Sequence, residues 1–129
     1  MLVRDRMSKP AATIRADADY KTALKTMERS SLHHLPVLDG DGKLVGMAAE
    51  RDLLLAAMRY LQSDVEVGDI MHRGLVTTNP GTSLASAARL MARERIGGLP
   101  VIDEAGALVG IITETDILKA FAELDRPPS

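Results

Sequence analysis

Apolar residues recur at helical spacing in two separate stretches. Tyr20, Ala23, Leu24 and Met27 follow the i, i+3, i+4, i+7 pattern, and so do Leu84, Ala87, Ala88 and Met91. Both stretches predict amphipathic helices. Asp17 or Asp19 stands where the first would be capped, and Thr82 or Ser83 where the second would be. A short β-prone segment precedes each helix, around Thr13-Ile14 and around Val76-Thr77-Thr78. Beyond the first helix, Leu35-Pro36-Val37-Leu38 and Lys43-Leu44-Val45-Gly46-Met47 flank Asp39-Gly40-Asp41-Gly42, which is a hairpin signal. Asp103-Glu104-Ala105-Gly106 holds the same place after the second helix. A closing helix is predicted over 50–62 and again over 114–124. Its apolar face reads Leu53, Leu54, Ala57, Met58 and Leu61 in the first case, and Ile117, Leu118, Phe121 and Ala122 in the second.

The pattern is a duplication. A shift of 64 residues aligns the chain with itself without a gap, and 19 of the 54 positions from Val3 to Ala56 are identical. Leu35-Pro36-Val37 falls on Leu99-Pro100-Val101, Leu44-Val45-Gly46 on Leu108-Val109-Gly110, and Glu50, Asp52 and Leu54 on Glu114, Asp116 and Leu118. Each copy reads β-α-β-β-α. A unit of about 60 residues without disulfide or metal is marginal by itself, and its small sheet leaves one face bare. Two units, 1–64 and 65–129, packed sheet to sheet about a pseudo-twofold axis would bury both faces. The expected architecture is therefore α+β (α/β in the wider sense), with two clefts, a connection over 60–66 and a loose tail over 126–129.

Composition narrows the function. The net charge is −2 and the aromatic residues are Tyr20, Tyr60 and Phe121. Nucleic-acid binding normally needs a basic surplus and stacking side chains, so it is not expected. The absence of Cys excludes disulfides, thiol catalysis and thiolate zinc sites, and suggests a cytoplasmic protein. The longest apolar run, Leu53 to Met58, is far too short for a membrane span. His33, His34 and His72 share no zinc-ligand spacing, so no metal is expected. No phosphate-loop, nucleophile-elbow or His-Glu-x-x-His motif is present, and no enzyme activity is expected.

Each copy resembles a cystathionine-β-synthase (CBS) domain. The resemblance rests on the Val-x-Asp-x-Met opening, the Leu-Pro-Val strand, and the Leu-Val-Gly strand that ends in x-x-Asp, all in the same order twice. It implies a Bateman-type module. Such a pair binds adenosine-containing ligands in clefts between its repeats, needs no cofactor, and pairs into a homodimer. Leu55 and Met58, beside the Leu53-Leu54 stripe, also suggest an apolar arc that meets a second copy.

Two readings of Thr113-Glu114-Thr115-Asp116 stand side by side. As a capping box, Thr113 caps a helix and the acid three residues on reaches back. As a ligand site, the helix start attracts phosphate and a carboxylate accepts both hydroxyls of a ribose. The resemblance implies the second: Asp116 holds ribose, and Thr113 and Thr115 approach phosphate. The first copy keeps Asp52 but has Ala49 for Thr113 and Arg51 for Thr115. The Asp116 cleft would be completed by Ser8, Lys9, Pro10 and Ala12, with His33 and His34 at its mouth. The Asp52 cleft would take Arg73 and Val76. The expected function is sensing of an AMP-, ADP- or ATP-class ligand on behalf of an effector protein. The alternative is a ligand-free dimerisation scaffold.

Overall fold

The structure, a computed structural model, describes residues 1–9, 12–59, 65–72 and 74–124. It divides into a central unit, Pro10–Val76, and a terminal unit made of Met1–Lys9 with Thr77–Ser129.

In the central unit a two-residue strand β1 (Ile14–Arg15) leads into α1 (Tyr20–Ser30). Asp19, rather than Asp17, caps α1 by accepting the Lys21 N–H at 2.7 Å. The helix ends at Ser31, whose left-handed backbone returns its N–H to the Met27 carbonyl. β2 (His34–Leu38) then pairs parallel with β1 and antiparallel with β3 (Leu44–Ala49), giving the order β1-β2-β3. Between β2 and β3, Asp39 Oδ1 accepts the N–H groups of Asp41 and Lys43, both at 2.9 Å, and Gly42 supplies the positive φ that closes the turn. α2 (Glu50–Arg59) follows β3 without a loop, and a single helical turn, α3 (Val67–Ile70), completes the unit. Ile14, Tyr20, Ala23, Met27, Leu35, Val37, Ala48, Leu53 and Val67 form its aliphatic core.

The terminal unit repeats this plan. α4 (Leu84–Glu94) is capped by Ser83, whose hydroxyl accepts the Ser86 N–H at 3.1 Å. β4 (Gly98–Ile102) and β5 (Leu108–Thr113) form an antiparallel pair, and α5 (Glu114–Leu124) follows at once. The β-prone segment before α4 makes only a single parallel bridge, Thr78 to Val101, with hydrogen bonds to the Pro100 carbonyl and from the Ile102 N–H.

The compact units cut the chain differently from the repeat halves 1–64 and 65–129. The opening segment of each half docks on the other half's hairpin and helices. Met1–Lys9 belongs with the second repeat: Val3 N–H donates to the Thr82 carbonyl, Ser8 exchanges two backbone hydrogen bonds with Ile111, and Val3 is fully buried. A 3-10 turn at Val3–Asp5 shapes this segment, and Arg6 pairs with Glu123 on α5, which raises the affinity of its guanidinium for its proton. Val65–His72 belongs with the first repeat: Tyr20 N–H donates to the Val65 carbonyl and His72 N–H to the Met47 carbonyl. Both openings press a methionine onto a strand glycine. A Cβ built on Gly46 would stand 2.7 Å from Met71 Sδ, and one on Gly110 would stand 2.9 Å from Met7 Sδ and 2.9 Å from the Ser8 carbonyl oxygen.

The closing helices bury less than their stripes suggest. On α2 only Leu53 and Ala56 are buried, while Leu54, Leu55 and Met58 are exposed. On α5 only Ala120 is buried, and Leu118, Phe121 and Leu124 are each about two-thirds exposed or more (65%, 69% and 77%). A helix lying on one face of a small unit covers only a narrow arc of its own circumference, so a wide apolar arc leaves its flank outside. Leu61 lies outside the described residues. Among the described residues no helix is long and apolar enough to cross a membrane.

Candidate functional site

β5 passes into α5 with no intervening loop, so Thr113 ends a strand and caps a helix at once. Its N–H donates to Asp116 Oδ2 at 2.8 Å and its hydroxyl donates to the same oxygen at 3.0 Å. The Asp116 N–H reaches back to Thr113 Oγ1 at 3.5 Å. This is a reciprocal capping box. It holds the half-buried Asp116 carboxylate in one orientation and uses one of its oxygens. The other, Oδ1, has no hydrogen-bond partner among the described residues and is left to accept. The capping role and a ligand role are thus compatible at Asp116, but they compete at Thr113. A hydroxyl that gives its proton to Asp116 cannot also give it to a phosphate. Thr115, exposed and without a hydrogen bond among the described residues, retains a free hydroxyl.

Ser8 lies on β5 two residues before Thr113. Its N–H donates to the Ile111 carbonyl at 2.9 Å and its carbonyl accepts the Ile111 N–H at 2.7 Å. Ser8 and the following Lys9 are exposed. Ser8, Lys9, Thr113, Thr115 and Asp116 therefore share the terminal unit, and the Ser8 backbone is bridged to β5 two residues before the helix start that holds the half-used Asp116 carboxylate.

The corresponding place in the central unit is looser. Ala49 precedes α2 and has no hydroxyl with which to cap it. Asp52 and Arg51 are exposed and make no side-chain hydrogen bond or ion pair among the described residues. Here the Glu50 N–H donates to the His33 carbonyl at 2.9 Å, and His33 Nδ1 sits 3.3 Å from Glu50 Oε1. His34 is half-buried on β2 opposite Ala49. Ala12 and Val76, both half-buried, belong to this unit as well. Ala12, His33 and His34, which the sequence assigns from the first repeat to the Asp116 cleft, lie in the central unit. Pro10 and Arg73 lie outside the described residues.

Two further residues belong in this comparison. His72 occupies the position of Ser8, its N–H on the Met47 carbonyl at 3.2 Å, and the 64-residue shift marks it. Glu50 faces His33 across the strand-to-helix junction, which no spacing rule reveals. Among the described residues no group of three potential metal ligands comes together.

Substituting Ala49→Thr should build in the central unit the box that Thr113 forms with Asp116. The expected result is a stability gain of about 1 kcal/mol, a midpoint rise of roughly 4 °C in calorimetry. No change, or a fall, would mean that residue 49 does not present its side chain toward Asp52.

The comparisons with known proteins identify the family. The CBS domain profile matches residues 3–59 and again 67–123. A CBS domain-containing protein of Dictyostelium discoideum is 36% identical over 138 residues, covering 98% of this chain and 95% of its own length. The L-aspartate semialdehyde sulfurtransferase of Methanocaldococcus jannaschii is 32% identical over 120 residues, but this chain spans only 23% of it. Among solved structures, the CBS domain pair of protein MJ0100, in complex with 5′-methylthioadenosine and S-adenosyl-L-methionine, superposes with a TM-score of 0.85 at 31% identity, covering 97% of this chain and 98% of that one. CBSX2 in complex with AMP superposes with a TM-score of 0.77 at 28% identity, covering 97% and 98%. Two profile matches that take in most of the chain, and relatives of this closeness, make it a member of the CBS-domain family carrying two CBS domains in tandem.

Proposed function

We propose that this chain is a regulatory ligand-sensing module, without catalytic activity, that binds an adenosine-containing nucleotide of the AMP, ADP or ATP class with Asp116 as its principal anchor. The observation that carries the reading is the Asp116 carboxylate, oriented by Thr113 and still open at Oδ1, beside the exposed Ser8-Lys9 segment. An oriented carboxylate suits a ribose hydroxyl, and Lys9, Thr115 and the α5 N-terminus suit phosphate. The CBS pairs of MJ0100 and CBSX2 support the ligand class, since both were solved with adenosine-containing molecules. Asp52, with Arg51, His72 and Val76 in the same unit, is the weaker counterpart.

The test is a thermal-shift panel of AMP, ADP, ATP, NAD and S-adenosylmethionine. A ligand at about 100 times its dissociation constant adds roughly 2.7 kcal/mol and raises the midpoint by roughly 10 °C. If none of the five moves the midpoint at millimolar concentration, the scaffold reading replaces this one.

The exposed Leu118, Phe121 and Leu124 on α5, with Leu54, Leu55 and Met58 on α2, support pairing with a second copy of the chain. Light scattering at micromolar concentration should give twice 13.9 kDa. A monomer would sink the homodimer and leave the nucleotide reading standing.

A further inference from the structure

The two units differ at the hairpin end of their sheets, the end opposite Thr113. In the terminal unit a cavity of about 470 Å³ opens there, lined by Arg4, Thr78, Asn79, Gly81, Asp103 and Glu104 among others. Thr113 pairs with Gly98 at the far end of the β4-β5 pair, whereas Ile102 and Leu108 pair beside the cavity, so it is separate from the Asp116 site.

Its polar groups are largely unused. The Arg4 side chain is exposed and has no ion pair or hydrogen bond among the described residues, although its N–H is fixed to the Pro80 carbonyl at 3.1 Å. Thr78 is 93% buried at 7% relative exposure, and its hydroxyl has no hydrogen-bond partner among the described residues. Asp103 uses Oδ1 for the Ala105 and Ala107 N–H groups and keeps Oδ2 open. Asn79 Oδ1 accepts the Thr82 hydroxyl, which leaves its amide nitrogen free to donate. Glu104 is exposed and unpaired among the described residues.

The central unit shows what this place accommodates. There Arg15 replaces Asn79, Asp17 replaces Gly81, Gly40 replaces Glu104 and Gly68 replaces Arg4. The Arg15 guanidinium forms a two-point pair with Asp17, at 3.0 and 2.9 Å, and a Cβ built on Gly40 would lie 3.5 Å from Arg15 Nη2. Among the described residues of the terminal unit no cation takes that position. Two carboxylates line it, and an unpaired arginine stands at its edge.

We infer that this cavity of the terminal unit is a second ligand site, for a zwitterion of the amino-acid class with a basic side chain. The cationic end takes the place that Arg15 fills in the other unit, against Asp103 Oδ2 and Glu104. The carboxylate pairs with Arg4, and Thr78 and Asn79 supply the neutral hydrogen bonds. Occupancy is independent of Asp116.

The experiment is thermal shift and calorimetry on the whole chain with L-arginine, L-lysine and glycine, and with acetate and n-propylamine as single-charge controls. At about ten times its dissociation constant, L-arginine should raise the midpoint by roughly 4–6 °C, with saturation. Arg4→Gln and Glu104→Gln, both on exposed side chains, should melt like the parent and each weaken binding at least tenfold. Asp116→Ala should leave the L-arginine response intact. The inference is overturned if no amino acid gives a saturable shift, if either control matches L-arginine, or if the shift survives Arg4→Gln.

Discussion

Gly110→Ala should lower the melting midpoint by roughly 8 °C, and Gly46→Ala by less than half as much. The added methyl at 110 meets two atoms at 2.9 Å, Met7 Sδ and the Ser8 carbonyl oxygen. The thioether can swing aside. The carbonyl cannot, because it accepts the Ile111 N–H at 2.7 Å and so fixes the opening segment to β5. Overpacking of this kind costs about 3 kcal/mol, and the better strand propensity of alanine returns roughly 0.5–1 kcal/mol. A net loss near 2 kcal/mol corresponds to the shift stated, at about 4 °C per kcal/mol. At Gly46 the atoms in the way all belong to the Met71 side chain, so repacking relieves most of the clash. Calorimetry of the two variants decides the matter. An equal or larger loss at Gly46 would mean that the methionines, not the Ser8 backbone, resist the methyl. Gly110→Ala should also weaken nucleotide binding, since Ser8 and Lys9 move with the displaced segment.

On the proposed function, Asp116→Ala should remove the tighter nucleotide-binding event, and Asp52→Ala should leave it nearly unchanged. The two carboxylates are chemically alike, so the difference comes from preparation. Asp116 is held by the Thr113 N–H and hydroxyl before any ligand arrives, whereas Asp52 is exposed and makes no hydrogen bond among the described residues. Immobilising a free side chain costs about 0.5–1.5 kcal/mol on binding, which is a factor of roughly 3–10 in affinity. The free hydroxyl of Thr115, in place of Arg51, pushes the same way. Asp116→Ala also breaks the capping box and should lose about 1 kcal/mol of stability, so titrations are run well below its lowered midpoint. If Asp52→Ala instead abolishes the tighter event, Arg51 sets the preferred site through a charge-assisted phosphate contact.

Much of this architecture is legible in the chain. The hairpins at Asp39 and Asp103, the helices α1 and α4 and the start of α5 at Glu114 follow from turn chemistry and periodicity, because these are local effects. The capping box is legible too, since Thr113 and Asp116 carry the spacing it needs. The exchange of opening segments is not legible in the repeat alone; only the family resemblance sets Ser8 and Lys9 with Asp116, and Arg73 and Val76 with Asp52. A shift of 64 residues makes Val3 and Val67, or Met7 and Met71, equivalent, and equivalence cannot say which hairpin either methionine covers. A contact such as His33 with Glu50 depends on which segments share a unit. The outward turn of Leu118 and Phe121 was also hidden, because periodicity locates an apolar arc without saying which part of it meets the sheet. Thr113's commitment to Asp116 Oδ2 needed distances.

The exchange of opening segments also bears on how the chain is made. Translation proceeds at about 5–20 residues per second, so Met1–Lys9 emerges many seconds before Ile111, the residue that finally pairs with Ser8. The central unit, by contrast, is complete once Val76 has appeared. During that interval the first nascent strand offering a Gly-flanked edge is β3, with Met47 in the position of Ile111. Met7 and Met71 hold equivalent places, against Gly110 and Gly46. The growing chain therefore leaves Met1–Lys9 without its partner strand while the equivalent strand β3 is already made. During synthesis β3 is likewise made before its own native neighbour, Val65–His72.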